Sequence, residues 1–145
     1  MSGQDHRLVV VGDADVADPL LHVAQVLGYP ALVRTGDELP GDLGPLDHVV
    51  LVTTDLRAVR PLVQQALEAG CAYIGVVGSG AACARLLIDL QRAGLSAAAL
   101  GRVAAPAGLD LEAAEPGEVA VSVAAELVRA RRGTLAPRTP WDARD

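Results

Sequence analysis

The stretch Tyr73-Ile74-Gly75-Val76-Val77-Gly78-Ser79-Gly80 is an apolar run, rich in β-branched residues, that runs into a Gly-Ser-Gly turn. Such a run predicts a strand buried on both faces. The turn predicts the start of a helix over residues 79–93, with its first amides facing whatever lies beyond the strand end. The same grammar recurs outward from this point. Residues 7–12 (Arg-Leu-Val-Val-Val-Gly) and 48–53 read as strands, 31–33 as a shorter one, and 101–104 as a weak fifth. Residues 19–27, 56–69 and 116–132 read as helices, the first opened by Asp18 as cap before Pro19. The last of these has Pro116 at its first position, with Glu115 and Glu118 near its positive end. Residues 35–45, with Pro40 and Pro45, read as a loop.

Strands alternating with helices predict an α/β fold: a three-layer α/β/α, Rossmann-like, doubly wound, mostly parallel sheet of about five strands. The expected strand order is 3-2-1-4-5, with a cleft above the carboxyl ends of strands 1 and 4 and Gly12 facing Gly78 across it. Residues 1–132 are expected to form one domain and 133–145 a flexible tail, with Trp141 able to dock on a neighbour.

Composition narrows the function. The chain has 145 residues, 51% hydrophobic but only 2% aromatic and without Phe, so its core is built from Val, Leu, Ile and Ala. A formal net charge of −6 argues against nucleic-acid binding, which needs an excess of cations. All twelve basic residues are arginine, which removes lysine Schiff-base chemistry and the phosphate-loop lysine. No apolar run is long enough for a bilayer span, and the start lacks the apolar segment of a signal peptide, so a cytoplasmic protein is expected. Cys71 and Cys83 suggest small buried residues, although the start of a helix can lower the pKa of Cys83. The histidines His6, His22 and His48 have no ligand spacing, and no metal site is expected.

The first turn, Gly12-Asp13-Ala14-Asp15-Val16-Ala17, departs from the dinucleotide pattern Gly-x-Gly-x-x-Gly. Ala14 adds a methyl where a backbone should approach pyrophosphate, and Asp13, Asp15 and Asp18 repel an anion. A hard cation is the alternative use of these carboxylates; capping and turn roles account for them as well. The end of strand 2 supplies Arg34 and no carboxylate for a ribose. These features weigh against ordinary NAD binding. The candidate ligand contacts are Gly12 and Asp13 after strand 1, and Thr53 and Thr54 after strand 3, where Asp55 is a candidate cap. Gly78, Ser79 and Gly80 follow strand 4, and Pro106, Gly108 and Asp110 lie in the second loop. Ser79 lacks the surroundings of a nucleophile. Glu118, Ser122, Glu126 and Arg129 share a helix face, read as a solvated stripe or a homodimer interface.

Three blocks taken together resemble the C-terminal Rossmann domain of the XdhC/CoxI family, accessory proteins for maturing molybdenum hydroxylases such as xanthine dehydrogenase and carbon monoxide dehydrogenase. They are Tyr73-Ile-Gly-Val-Val-Gly-Ser79, Pro106-Ala-Gly-Leu-Asp110 and Glu115-Pro-Gly-Glu-Val-Ala-Val-Ser-Val-Ala-Ala-Glu126. The family's pattern at these places is Y-V-G-L-L-G-S-R, P-I-G-L-D-I-G and P-E-E-I-A-V-S-I-L-A-E-I, and the likeness covers about residues 7–132. Departures lie mainly on the other flank. Asp13, Ala14 and Asp15 stand for the family's A-G-H, Thr35-Gly36-Asp37 for its D-D-R, and Thr53-Thr54-Asp55-Leu56 for its T-H-D-H; Gly80 stands for its arginine and Glu112 for a glycine. The family's N-terminal domain with its cysteine motif is expected to be missing. The resemblance implies a non-catalytic factor that binds the molybdenum cofactor or a related ligand and contacts a molybdenum hydroxylase client and a sulfur donor protein. An NAD(P)-binding oxidoreductase and a nucleotide-sensing regulatory domain are the alternatives.

Overall fold

The computed structural model describes residues 6–35, 38–52 and 55–138. Five parallel strands form one sheet: β1 (Arg7–Gly12), β2 (Ala31–Arg34), β3 (Asp47–Val52), β4 (Tyr73–Val77) and β5 (Val103–Ala104). The helices are α1 (Ala14–Leu27), α2 (Leu56–Glu68), α3 (Gly80–Arg92), a short α4 (Ala97–Leu100) and α5 (Pro116–Arg131). The α/β doubly wound fold is as predicted. Its strand order is not: the sheet runs β2-β1-β3-β4-β5, so β3 lies between β1 and β4. Gly12 pairs with Val52 of β3, and Gly12 and Gly78 do not face each other from neighbouring strands.

Alternation along the strands divides the core into two layers. Val9, Val11, Val49, Leu51, Ile74 and Val76 meet α2 and α3, through residues such as Val59, Val63, Leu86 and Leu90. Leu8, Val10, Val50, Val52 and Tyr73 meet α1 and α5, through Leu20, Ala24, Val123 and Leu127. Side chains of this size, fully removed from water, stabilise the fold by roughly 1.5–3 kcal/mol each. With no Phe in the chain, Tyr73 is one of the largest fully buried side chains. Its ring occupies the space above Gly75, where a Cβ would stand 2.5 Å from Cε2 of the ring.

Two local expectations are corrected. Helix α1 begins at Ala14, capped by Asp13, and carries Pro19 in its interior. Burial of Ala17 and Leu20 against the sheet outweighs the backbone preference of the Asp18-Pro19 step. In α5, Ser122 and Glu126 are buried, so the face at steps of four is not a solvated stripe. Only Glu118, whose carboxylate accepts from the Glu115 and Ala114 amides, and Arg129 are exposed. Helix α4 was not anticipated; Ser96 caps it at the Ala99 amide.

Candidate functional site

In an open parallel sheet, ligands bind outside the carboxyl ends of the strands, next to the point where the winding reverses. With this strand order that point lies between β1 and β3, flanked by the starts of α1 and α2, and α3 starts beside it at the end of β4.

The β1 flank is closed by its own atoms. Gly12 has φ +123°, and a Cβ there would stand 1.6 Å from the Val52 carbonyl oxygen. The next amide, Asp13, donates to that same oxygen at 2.8 Å. Oδ1 of Asp13 in turn accepts from the Asp15 amide at 2.9 Å. The positive end of α1 thus carries its own carboxylate, with Asp15 exposed beside it. A phosphate approaching here meets like charge, and the Asp13 and Asp15 amides are already bonded, leaving those of Ala14 and Val16. The α2 start is similar, with Asp55 capping the Arg57 amide at 3.0 Å. Thr53 and Thr54 lie outside the described residues, as do Gly36 and Asp37.

The β4 flank is different. Gly78, Ser79 and Gly80 are all exposed at the strand end. Ser79 Oγ accepts from the Ala82 amide at 3.1 Å, which makes the serine a helix cap. The amides of Gly80 and Ala81, the first two of α3, meet no acceptor among the described residues. Two amides and a hydroxyl at this helix N-terminus leave hydrogen-bond donors facing the strand end. Cys83, one turn further, is buried. Burial pushes its thiol up to about 11, so the helix dipole does not produce the lowered pKa considered from the sequence. Cys71 is likewise pushed up to about 11 by burial. Neither thiol is a thiolate at neutral pH.

The loop after β5 divides its residues between the two sides. Asp110 is exposed and Pro106 half-buried, but Gly108 is buried and turned inward. Successive amides are consumed inside: Ala107 donates to the Val76 carbonyl at 2.8 Å, Gly108 to Glu126 Oε1 at 2.6 Å, and Leu109 to the Ser122 carbonyl at 3.1 Å. Glu126 also accepts from the Tyr73 hydroxyl at 2.7 Å and from Arg138 Nη2 at 2.5 Å. Burial pushes the Glu126 carboxyl up, but the Tyr73 hydroxyl, the Arg138 charge and the Gly108 amide outweigh it and hold it below its usual value. Tyr73 moves the other way, raised by burial and by the Glu126 charge. Sequence reasoning missed this cluster because Arg138 sits in a stretch read as tail. The available signal was Glu126 itself, an acid at a helical position whose neighbours Val123 and Leu127 face the core.

A pocket of about 200 Å³ opens at the opposite end of the sheet, between Cys71, Gly101 and Arg102 on one side and Leu135, Pro137 and Arg138 on the other. It is remote from the helix starts, and of its two arginines Arg102 donates to the Cys71 carbonyl and Arg138 is paired with Glu126. No group of three His, Cys, Asp or Glu among the described residues is placed to hold a metal ion. Among those residues, no helix is long and apolar enough to cross a membrane.

A family model described as the XdhC Rossmann domain matches residues 8–127. Among solved structures, the chain is similar to one reported as a xanthine dehydrogenase from Bacillus halodurans, with a TM-score of 0.72 and 23% sequence identity. The match covers 90% of this chain and 44% of that one, so the chain spans less than half the length of its neighbour. At that identity the likeness carries the fold alone. No curated protein matches the chain.

Proposed function

The chain belongs to the XdhC Rossmann-domain family, and from that premise we propose that it is a non-catalytic accessory factor for molybdenum hydroxylases of the xanthine or carbon monoxide dehydrogenase type. In this reading it binds the molybdenum cofactor, or a related ligand bearing a phosphate, at the β4 flank of the cleft and hands it on through contacts with the client enzyme. A sulfur donor protein is the further partner.

The observation that carries the reading is the asymmetry of the cleft. On the β4 side the amides of Gly80 and Ala81 have no acceptor among the described residues, and the Ser79 hydroxyl stands beside them. On the β1 side the Ala14 and Val16 amides likewise meet no acceptor among the described residues, but the Asp13 and Asp15 carboxylates stand beside them and the Asp13 amide is spent on Val52, so the flanks differ chiefly in charge. The donor set suits one terminal phosphate, such as that of a molybdenum-binding pterin. It does not suit a pyrophosphate that needs the backbone of both turns. When bound, the cofactor supplies the redox centre of the client. This chain's residues would seat the phosphate at Ser79, Gly80 and Ala81, with Asp110 available to accept a hydrogen bond from the ring. Cys71 and Cys83, both buried with thiols pushed up to about 11, are not activated nucleophiles, which fits a carrier role.

A thermal-shift panel tests this, because a ligand that binds only the folded chain raises its melting point. Molybdopterin or its nucleotide forms are expected to stabilise the protein, with NADH and NADPH giving little. A largest shift with NADH or NADPH would overturn the reading in favour of an oxidoreductase. A largest shift with a mononucleotide would favour a sensor. Silence with every ligand, together with co-purification of a molybdenum hydroxylase, would restrict the role to protein contacts.

A further inference from the structure

After α5 the chain turns back along the edge of the sheet. The Arg138 amide donates to the Gly101 carbonyl at 2.9 Å. The approach needs a residue without a side chain, since a Cβ on Gly101 would stand 2.7 Å from the Arg138 carbonyl oxygen. From this anchor the arginine reaches past β5 to the next loop. Its Nη1 donates to the Pro106 carbonyl at 2.6 Å, and Nη2 to the Gly108 carbonyl at 3.3 Å and Glu126 Oε2 at 2.5 Å. Glu126, 2% exposed, holds the same loop from the other side through the Gly108 amide. One guanidinium and one carboxylate therefore grip the carbonyl and the amide of a single residue, Gly108, and tie both to a segment that enters from elsewhere in the chain. A planar fork with several fixed donors suits this task as a lysine would not.

We propose that Arg138 is a positioning residue and that segment 133–138 acts as a latch. It holds the 105–110 loop, one wall of the cleft, against Glu126, and lifting Arg138 loosens that loop while the sheet stays folded. The physical reason is a division of support. Strands β1, β3 and β4 hold one another by their own ladders and by two buried layers. The loop is held by the Ala107 amide on Val76, by the Leu109 amide on Ser122 and by Ala105 and Ala107 packed on the two layers, and the Arg138–Glu126 pair adds the grip on both polar groups of Gly108. The inference does not depend on which ligand the cleft takes.

Hydrogen exchange on the full chain tests it. In Arg138→Gln the amides of Ala107, Gly108 and Leu109 are expected to exchange about tenfold faster or more, by local opening, while those of β1 and β3 change only by the shift in global stability. Val63→Ala, on the opposite layer, lowers global stability without touching the latch and is expected to leave the ratio of loop to sheet exchange unchanged. Arg138→Lys keeps the charge but loses the fork, and an intermediate ratio is expected. Loop and sheet amides accelerating by one factor in Arg138→Gln, a loop unmoved by it, or Val63→Ala loosening the loop as much would each overturn the proposal. If Arg138→Gln does not fold, the Lys variant decides alone: an unchanged ratio there would also overturn it.

Discussion

Gly12 is a residue whose type could be read and whose purpose could not. A glycine closing an apolar strand is the expected opening of a phosphate turn, and the sequence offers nothing to show what lies across from it. In the structure it lies against the Val52 carbonyl at φ +123°, so its lack of a side chain serves the crossing of β1 and β3. Gly12→Ala places a methyl into a backbone oxygen in a conformation that L-residues avoid. It is expected to destabilise the chain by about 3 kcal/mol or more, read as a fall in the urea midpoint. A destabilisation under about 1 kcal/mol would mean that the crossing relaxes easily. Tyr73 and Gly75 make a similar point: their spacing matches strand alternation, but only the packed structure shows that the ring lies over the glycine and delivers its hydroxyl to Glu126.

At the scale of the element, helix starts were more legible than helix roles. Ser79 and Asp55 each precede a helix, as their side chains favour, and Pro116 with Glu118 marks the start of α5. Only α1 was misplaced, because the Asp18-Pro19 step reads as a boundary while the burial of Ala17 and Leu20, which decides the matter, is a tertiary effect. A cap and a ligand contact look the same in sequence, and Ser79 is a candidate for both. The two uses separate by substitution. Ser79→Ala is expected to cost about 1 kcal/mol of stability, and Ser79→Gly only a few tenths. If the hydroxyl also touches the ligand, Ser79→Gly will keep its melting point but lose much of the ligand-induced shift. An undiminished shift would confine Ser79 to its capping bond with Ala82.

At the scale of the whole molecule, the fold class followed from alternating strands and helices, but the strand order did not. Orders 3-2-1-4-5 and 2-1-3-4-5 both keep right-handed crossovers, so the pattern of elements is silent between them. Composition did hold a clue. The third strand is apolar for most of its length and is buried at every position, whereas the second is short and ends in Arg34, as suits an edge. Placing β3 in the centre has a consequence for acid stability, because it carries His48 into the core. The ring is fully buried beside His6, Tyr29 and Tyr73, 4.9 Å from the His6 ring centroid. Burial, and then the His6 neighbour, lower its pKa from 6.5 to about 4, with a backbone interaction at Leu46 opposing only in part. Above pH 6.5 the ring is neutral folded or unfolded and contributes no pH dependence. Between 6.5 and 4 the unfolded chain binds a proton that the folded chain refuses, so stability falls as pH falls. The full loss is roughly 3 kcal/mol, of which about 2 kcal/mol comes between pH 7 and pH 5. Glu126 adds a later step of the same sign: its folded pKa is depressed, so its contribution is present above the ordinary carboxyl value and is lost as pH drops through the folded one. Urea midpoints measured across this range should therefore decline in two stages. His48→Leu should remove the first and leave the second, and a variant that kept the decline between pH 7 and pH 5 would assign it to some group other than the buried ring.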